Sequence, residues 1–140
     1  MIANLLSAFV LVAACVVIHA TGVTWALRRL PRVSRLGHQF WPSAWLFVRL
    51  VAWIIACHLV EIALWALLYL WYDAMSHPEA AFYFSAVTYT TTGYGDIVLP
   101  QQWRWFSGIE ALTGILMCGW STAFFVMVVS RVRAAGSTTT

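Results

Sequence analysis

Apolar residues fill three long and almost unbroken runs, residues 2 to 27, 46 to 72 and 105 to 130, while polar residues gather in the segments between them. Each run exceeds the roughly 20 helical residues that cross a hydrocarbon core of about 30 Å. The pattern therefore predicts three transmembrane helices, tilted or with their ends in the headgroups. A fourth apolar stretch, Ala80 to Thr91, is too short to cross. It has to enter the membrane and return on the same side. Ser76 and Glu79 stand in capping-box spacing, and Pro78 falls in the first turn, which predicts a short helix over 79 to 90. Such a helix directs its partially negative C-terminal end into the membrane, where it favours a cation. The residues that follow, 91 to 95, cannot be helical. Irregular backbone at membrane depth is tolerated only beside protein or a water-filled pathway, so the loop implies a pore.

Composition sharpens this picture. Of 140 residues, 62% are hydrophobic and 9% charged, and the mean hydropathy is +0.80. A soluble domain of this size lacks the interior to hide so much apolar surface. Arginine supplies all the basic charge. Arg28, Arg29, Arg32, Arg35, Arg49, Arg131 and Arg133 fall on one side of the predicted spans, and only Arg104 falls on the loop side. The positive-inside rule then places the N-terminus outside, an arginine-rich linker 28–45 and the C-terminus in the cytoplasm, and residues 73 to 104 outside, in a plasma (inner) membrane. The net charge of +3 is accounted for by this topology. No basic stripe interleaved with aromatics points to nucleic acid. Trp25, Trp41 and Trp45 on one side, with Trp71, Trp103 and Trp105 on the other, match the aromatic belts of two interfaces; Trp53, Trp65 and Trp120 fall within spans, where they pack against neighbouring helices.

The loop carries the run Thr90-Thr91-Thr92-Gly93-Tyr94-Gly95-Asp96. Gly93 and Gly95, without side chains, permit backbone angles that let successive carbonyls face one axis. Over Phe82 to Asp96 the chain resembles the potassium-channel pore-domain family, and the helix, loop and helix of its last two-thirds repeat that family's architecture. The resemblance implies an all-α membrane protein with three transmembrane helices plus a re-entrant pore helix and filter loop, four copies forming one pore. It assigns ion-facing carbonyls to Thr91, Thr92, Gly93 and Tyr94 in the filter 91–96, which includes Gly95, with the Thr91 hydroxyl adding an inner site. Tyr94 would brace the filter against surrounding helices, and Asp96 would stand at the outer mouth. Potassium is then the transported ion; no cofactor is implied. The partners are the lipid bilayer and three further copies in a homotetramer. The sequence departs from the family's commonest pattern at Thr92, where valine is usual, so a hydroxyl behind the filter needs a partner. Val87 stands where some members carry a glutamate that braces the filter.

The resulting division is an N-terminal transmembrane helix 1–27, the linker 28–45, a pore domain 46–133 with outer helix 46–72, pore helix 79–90 and inner helix 105–130, and a free tail 134–140. The stretch Val12 to Cys15 also matches a lipoprotein cleavage box. No arginine precedes it, however, and cleavage with export would strand four arginines outside. Polar residues inside the spans should face protein or water. His58 and Glu61, one turn apart, can bond each other or reach His19, Thr21 or Thr24; this would make them a brace, a proton sensor, or a metal site, for which two ligands are few. Glu110 can pair with Arg104 or with donors behind the filter. Gly114 and Gly119 are either bending points of the inner helix or close-packing positions. Cys15, Cys57 and Cys118 are isolated packing residues. No span repeats arginine at every third position, so a voltage sensor is not expected. The tail is too short for a ligand-binding domain. The expected function is a potassium-selective channel subunit; the alternative is a non-conducting regulatory or structural subunit that joins other channel chains. An enzyme using His58 and Glu61 would lack a nucleophile, a metal set and a substrate loop.

Overall fold

The computed structural model describes residues 2–29 and 40–137. Four helices follow in order: α1 Ile2–Arg29, α2 Phe40–Trp71, α3 Pro78–Tyr89 and α4 Arg104–Ser137, the last entered through a 3-10 turn at Gln101–Trp103. Among the described residues there is no strand. Helices α1, α2 and α4 are each long and apolar enough to cross a membrane, and α3 is the short one. Two boundaries differ from expectation. Helix α2 starts at Phe40, inside the segment read as linker, because Pro42 falls in a first turn whose amides need no helical acceptor. Helix α4 continues to Ser137, through residues expected to form a free tail. Pro31, Arg32, Arg35 and Gly37, with the idea that the linker lies along an anionic membrane surface, fall outside the described residues.

Helix α1 packs on α2 and α4, and α3 lies against α2 and α4. Their contact faces form two apolar layers. One gathers Cys15, Ile62, Trp65, Tyr69, Phe84, Tyr89, Phe106 and Met117 around the pore helix. The other joins Ala26, Leu50, Ile54, Phe124 and Val128. Between the two layers, in sequence and in space, sit the polar residues of the spans. Aromatic rings close the end where α2 finishes and α4 begins, with Tyr72 5.0 Å from Trp103 and Trp105 stacked 3.9 Å from Phe106. At the opposite end Trp53 stacks 4.3 Å from Trp25 and donates its indole N–H to the Gly22 carbonyl at 2.9 Å.

Helix α3 begins one residue later than a capping box would require. Its cap is His77, with no side-chain bond, and Pro78 occupies the first helical position. Proline prefers that place because it has no amide to leave unpaired, so Ser76 and Glu79 fall out of register and the predicted capping box does not form. The other end is a Schellman motif. The Thr92 amide donates to the Val87 carbonyl and the Thr91 amide to that of Thr88, both at 2.9 Å. The same pattern ends α2, where Ala74 donates to Tyr69 at 2.9 Å and Asp73 to Leu70 at 3.1 Å, with Asp73 at φ +50°.

Gly114 and Gly119, two of the glycines of α4, have different surroundings. A Cβ at Gly114 would stand 1.9 Å from the Tyr89 carbonyl oxygen, so this glycine lets α4 touch the last turn of α3; close packing, not bending, explains it. Among the described residues, nothing beyond its own stretch of helix lies within 4 Å of a Cβ at Gly119. Gly114→Ala is expected to cost about 1 to 3 kcal/mol by overpacking against backbone. Gly22→Ala meets only the movable Cys57 Sγ, at 2.6 Å, and gains helix propensity in return. Thermal unfolding of the purified variants in detergent checks this: the midpoint should fall further for Gly114→Ala than for Gly22→Ala, and an inverted order would contradict the packing argument.

Candidate functional site

The segment leaving α3 has an alternating backbone. Thr91, Gly93 and Gly95 take φ values of +59°, +57° and +77°, and the residues between them do not share that region. Left-handed residues at every second position turn successive peptide planes so that amides gather on one side and carbonyls on the other. The amide side is the one turned back on the helix, since Thr92 and Gly93 both donate to the Val87 carbonyl, at 2.9 and 3.3 Å. Glycine takes these angles without penalty. Thr91 does not, and a β-branched residue there carries roughly 1 to 3 kcal/mol of strain, held by the two bonds that end α3. The Thr92 hydroxyl finds its partner in the Thr90 hydroxyl at 2.9 Å, and Thr90 in turn reaches the Ala86 carbonyl at 2.7 Å. Thr90 to Asp96 are all exposed in the single chain. Tyr94 is 72% exposed, so its own chain covers little of the ring.

At mid-bundle, His19 Nδ1 lies 3.0 Å from Glu61 Oε1, and the Tyr89 hydroxyl bonds Glu61 Oε2. His58 Nδ1 stands 3.1 Å from the Tyr89 oxygen and 3.4 Å from Glu61 Oε2. The Ser121 hydroxyl touches Nε2 of both imidazoles at 3.1 Å. Glu61 and His19 are buried. Of the partners proposed from sequence, His19 takes part, whereas the Thr21 hydroxyl bonds back to Val17 and Ile18 of its own helix. With His19 added, three ligand atoms lie within 4.8 Å of one another, each already in a hydrogen bond.

A family model described as ion channel matches residues 55–131, more than half of the chain. The chain belongs to the ion channel family. No curated protein and no solved structure gave a match. The matched stretch of this ion channel runs from mid-α2 through α3 and the alternating segment into α4, which bears out the resemblance to a pore-domain family and leaves α1 outside it. With three apolar helices long enough to cross, this is a multi-pass membrane channel protein and not an enzyme.

The channel's second buried carboxyl, Glu110, braces the pore helix. Ser85 bonds its Oε1, Tyr69 donates to Oε2 at 2.5 Å, and the Ser85 hydroxyl also reaches the Ile62 carbonyl at 2.8 Å. Those three contacts need three protons, and they are complete when Glu110 is a carboxylic acid that donates to Ser85. Arg104, the alternative partner, is turned instead to the Leu99 carbonyl at 3.0 Å, where it ties down the loop after the filter segment. Sequence reasoning placed His58, Glu61 and Glu110 in the interior but missed Tyr89, Ser121, Ser85 and Tyr69. A serine inside an apolar run was the signal available for Ser121. The tyrosines read only as bulk.

At the exposed end of the alternating segment, the Tyr83 hydroxyl donates to Asp96 Oδ2 at 2.7 Å. That bond, to the charged form, is the main reason the Asp96 carboxyl titrates below its ordinary range. A lowered folded value means stability that is present above the unfolded value and lost as pH falls through the folded one. In Tyr83→Phe the Asp96 titration should therefore move upward, toward about 3.9, while staying well below neutrality. A pH titration of the carboxylate infrared band of both proteins measures it; a midpoint unmoved by the substitution would deny the bond its effect.

Proposed function

We propose that the chain is a potassium-selective channel subunit, four copies of which form one pore. The alternation of left-handed backbone at Thr91, Gly93 and Gly95 carries this reading. It presents a row of carbonyls on one side, and such a row replaces the hydration shell of a potassium ion only where several chains face a common axis. One chain supplies one row. Its exposure in the isolated subunit, and an open groove of about 410 Å3 beside it lined by Tyr83, Val87, Gly93, Asp96, Gly108 and Ala111, are consistent with neighbours seated there. In this arrangement Thr91, Thr92, Gly93 and Tyr94 coordinate the ion, Gly95 allows the last turn of the ladder, and Tyr94 braces against an adjacent subunit. Four Asp96 carboxylates at the outer mouth raise the local cation concentration by Coulomb attraction. Ions move down their gradient by mutual repulsion between adjacent sites. The arginine bias supports a plasma-membrane orientation with the N-terminus and filter end outside and the C-terminus in the cytoplasm.

Purified protein in liposomes is expected to pass potassium well above sodium. Gly93→Ala forces a side chain into the left-handed region at about 1 to 2 kcal/mol per residue; summed over four chains, this should lower potassium flux by at least roughly tenfold. Flux without discrimination between the two ions would remove the selectivity claim. Absence of flux in the unmodified protein would favour a non-conducting subunit that joins other channel chains.

A further inference from the structure

Five side chains from four helices close a ring at mid-bundle. Glu61 meets His19, His19 meets Ser121, Ser121 meets His58, His58 meets Tyr89, and Tyr89 meets Glu61. Each hydrogen bond needs one proton between its heavy atoms, so five contacts need five protons. With Glu61 ionised and both imidazoles neutral, the ring holds four: one on each imidazole, one on Tyr89 and one on Ser121. One contact then sets lone pair against lone pair, and a net negative charge is buried within the bundle. One further proton removes both defects, whether it rests on the carboxyl or on an imidazole beside the carboxylate. This count does not depend on the tautomers, because each ring nitrogen is committed to one side of the cycle.

We propose that this ring is a binding site for a single exchangeable proton, and that its occupancy decides how firmly α4 is held. The link that fails on proton loss can be named. An ionised Glu61 draws the Nδ1 protons of His19 and His58 toward itself and Tyr89, which leaves both Nε2 atoms as acceptors facing the single Ser121 hydroxyl. Ser121 is the only member of the ring on α4, and it lies just past Gly119, whose Cβ position meets no described residue beyond its own stretch of helix within 4 Å. An occupied ring thus fastens the inner helix, which runs unbroken through Gly119, immediately beyond that glycine. An empty ring holds it by one of the two Ser121–imidazole bonds instead of both. The other titratable groups in electrostatic reach are the thiols of Cys15 on α1, Cys57 on α2 and Cys118 on α4; Glu110 is engaged one layer away with Ser85 and Tyr69.

The consequence for conduction rests on the channel reading: an inner helix held by one bond at Ser121 instead of two bends more readily at Gly119, so potassium flux should rise with pH. In liposomes buffered equally on both sides between roughly pH 5 and 9, a window around the ordinary histidine range, flux is expected to climb about three- to tenfold, the population change that one hydrogen bond supports. Asp96 titrates below this window. Glu61→Gln replaces the carboxyl by an amide that always brings a proton to the ring, and should hold flux at the acid level throughout. Ser121→Ala cuts α4 from the ring altogether and should hold it at or above the alkaline level at every pH. A flat profile in the unmodified protein, or an unaltered profile in Glu61→Gln, would overturn the proposal. A chelator should change nothing; if it shifts the profile, His19, His58 and Glu61 hold a metal and the proton assignment fails. If no variant conducts at any pH, the channel reading is at fault, and thermal unfolding in detergent still decides about the ring. A proton bound more tightly in the folded state adds stability at low pH that is lost as pH rises, so the unfolding midpoint should fall toward alkaline pH in the unmodified protein and less so in Glu61→Gln. Parallel curves would refute the site.

Discussion

Backbone that leaves a helix inside a membrane has polar groups and no water to give them to, and the way this chain disposes of those groups shapes everything around its loop. The amides of Thr91, Thr92 and Gly93 are turned back onto carbonyls of the last turn of α3. The carbonyls they would otherwise pair with are left over. Alternation of left-handed residues gathers those carbonyls on one side, so the same geometry that satisfies the donors strands a row of acceptors. In water this would be an ordinary helix end. In the proposed pore the row is met by a cation, and that role, more than any single side chain, would connect the helix cap to ion conduction.

Holding such a segment in place falls to two carboxyl groups buried among three or four helices. Glu110 binds the middle of α3 through Ser85, and Glu61 binds its last residue through Tyr89. A lone carboxylate in either place would be expensive, and each is tolerated because every contact to it comes from a hydroxyl or an imidazole. Both clusters can be completed at zero net charge. They differ in their partners: Glu110 has only hydroxyls around it, whereas Glu61 shares its proton count with two imidazoles. Each is complete only while it carries one proton more than its ionised form holds.

Apolar periodicity and length made α1, α2 and α4 legible, because the bilayer sets the length a span must have and leaves few alternatives. The short helix was legible for the complementary reason, being too short to cross. Boundaries were less so. Aromatic and small residues at 40–45 satisfy helix and interface alike, so nothing local stopped α2 from starting at Phe40, and one proline decided where α3 starts against a capping pattern out of step by one residue. At the site, Gly93 and Gly95 announced their backbone angles in advance, but the matching angle at Thr91 is imposed by the helix end and cannot be read from a threonine. The pairing of His58 with Glu61 followed from helical spacing. The closure of the ring through Ser121 did not, since that serine is distant in sequence from both histidines and meets them only after α4 is packed.

Helix α1 lies outside the residues that match the channel family, yet it is not an appendage. His19 supplies the link to Glu61 Oε1 and one of the two links to Ser121, and without it the cycle opens: Glu61 would keep Tyr89 and His58, Ser121 would keep His58 alone, and the protons of Tyr89, His58 and Ser121 would then suffice for every remaining contact with Glu61 ionised. The need for an additional proton arises only when the chain of contacts closes on itself. In physical terms, adding one helix with one histidine converts an open row of hydrogen bonds, content with a charged carboxylate, into a ring that is complete only when it carries one proton more.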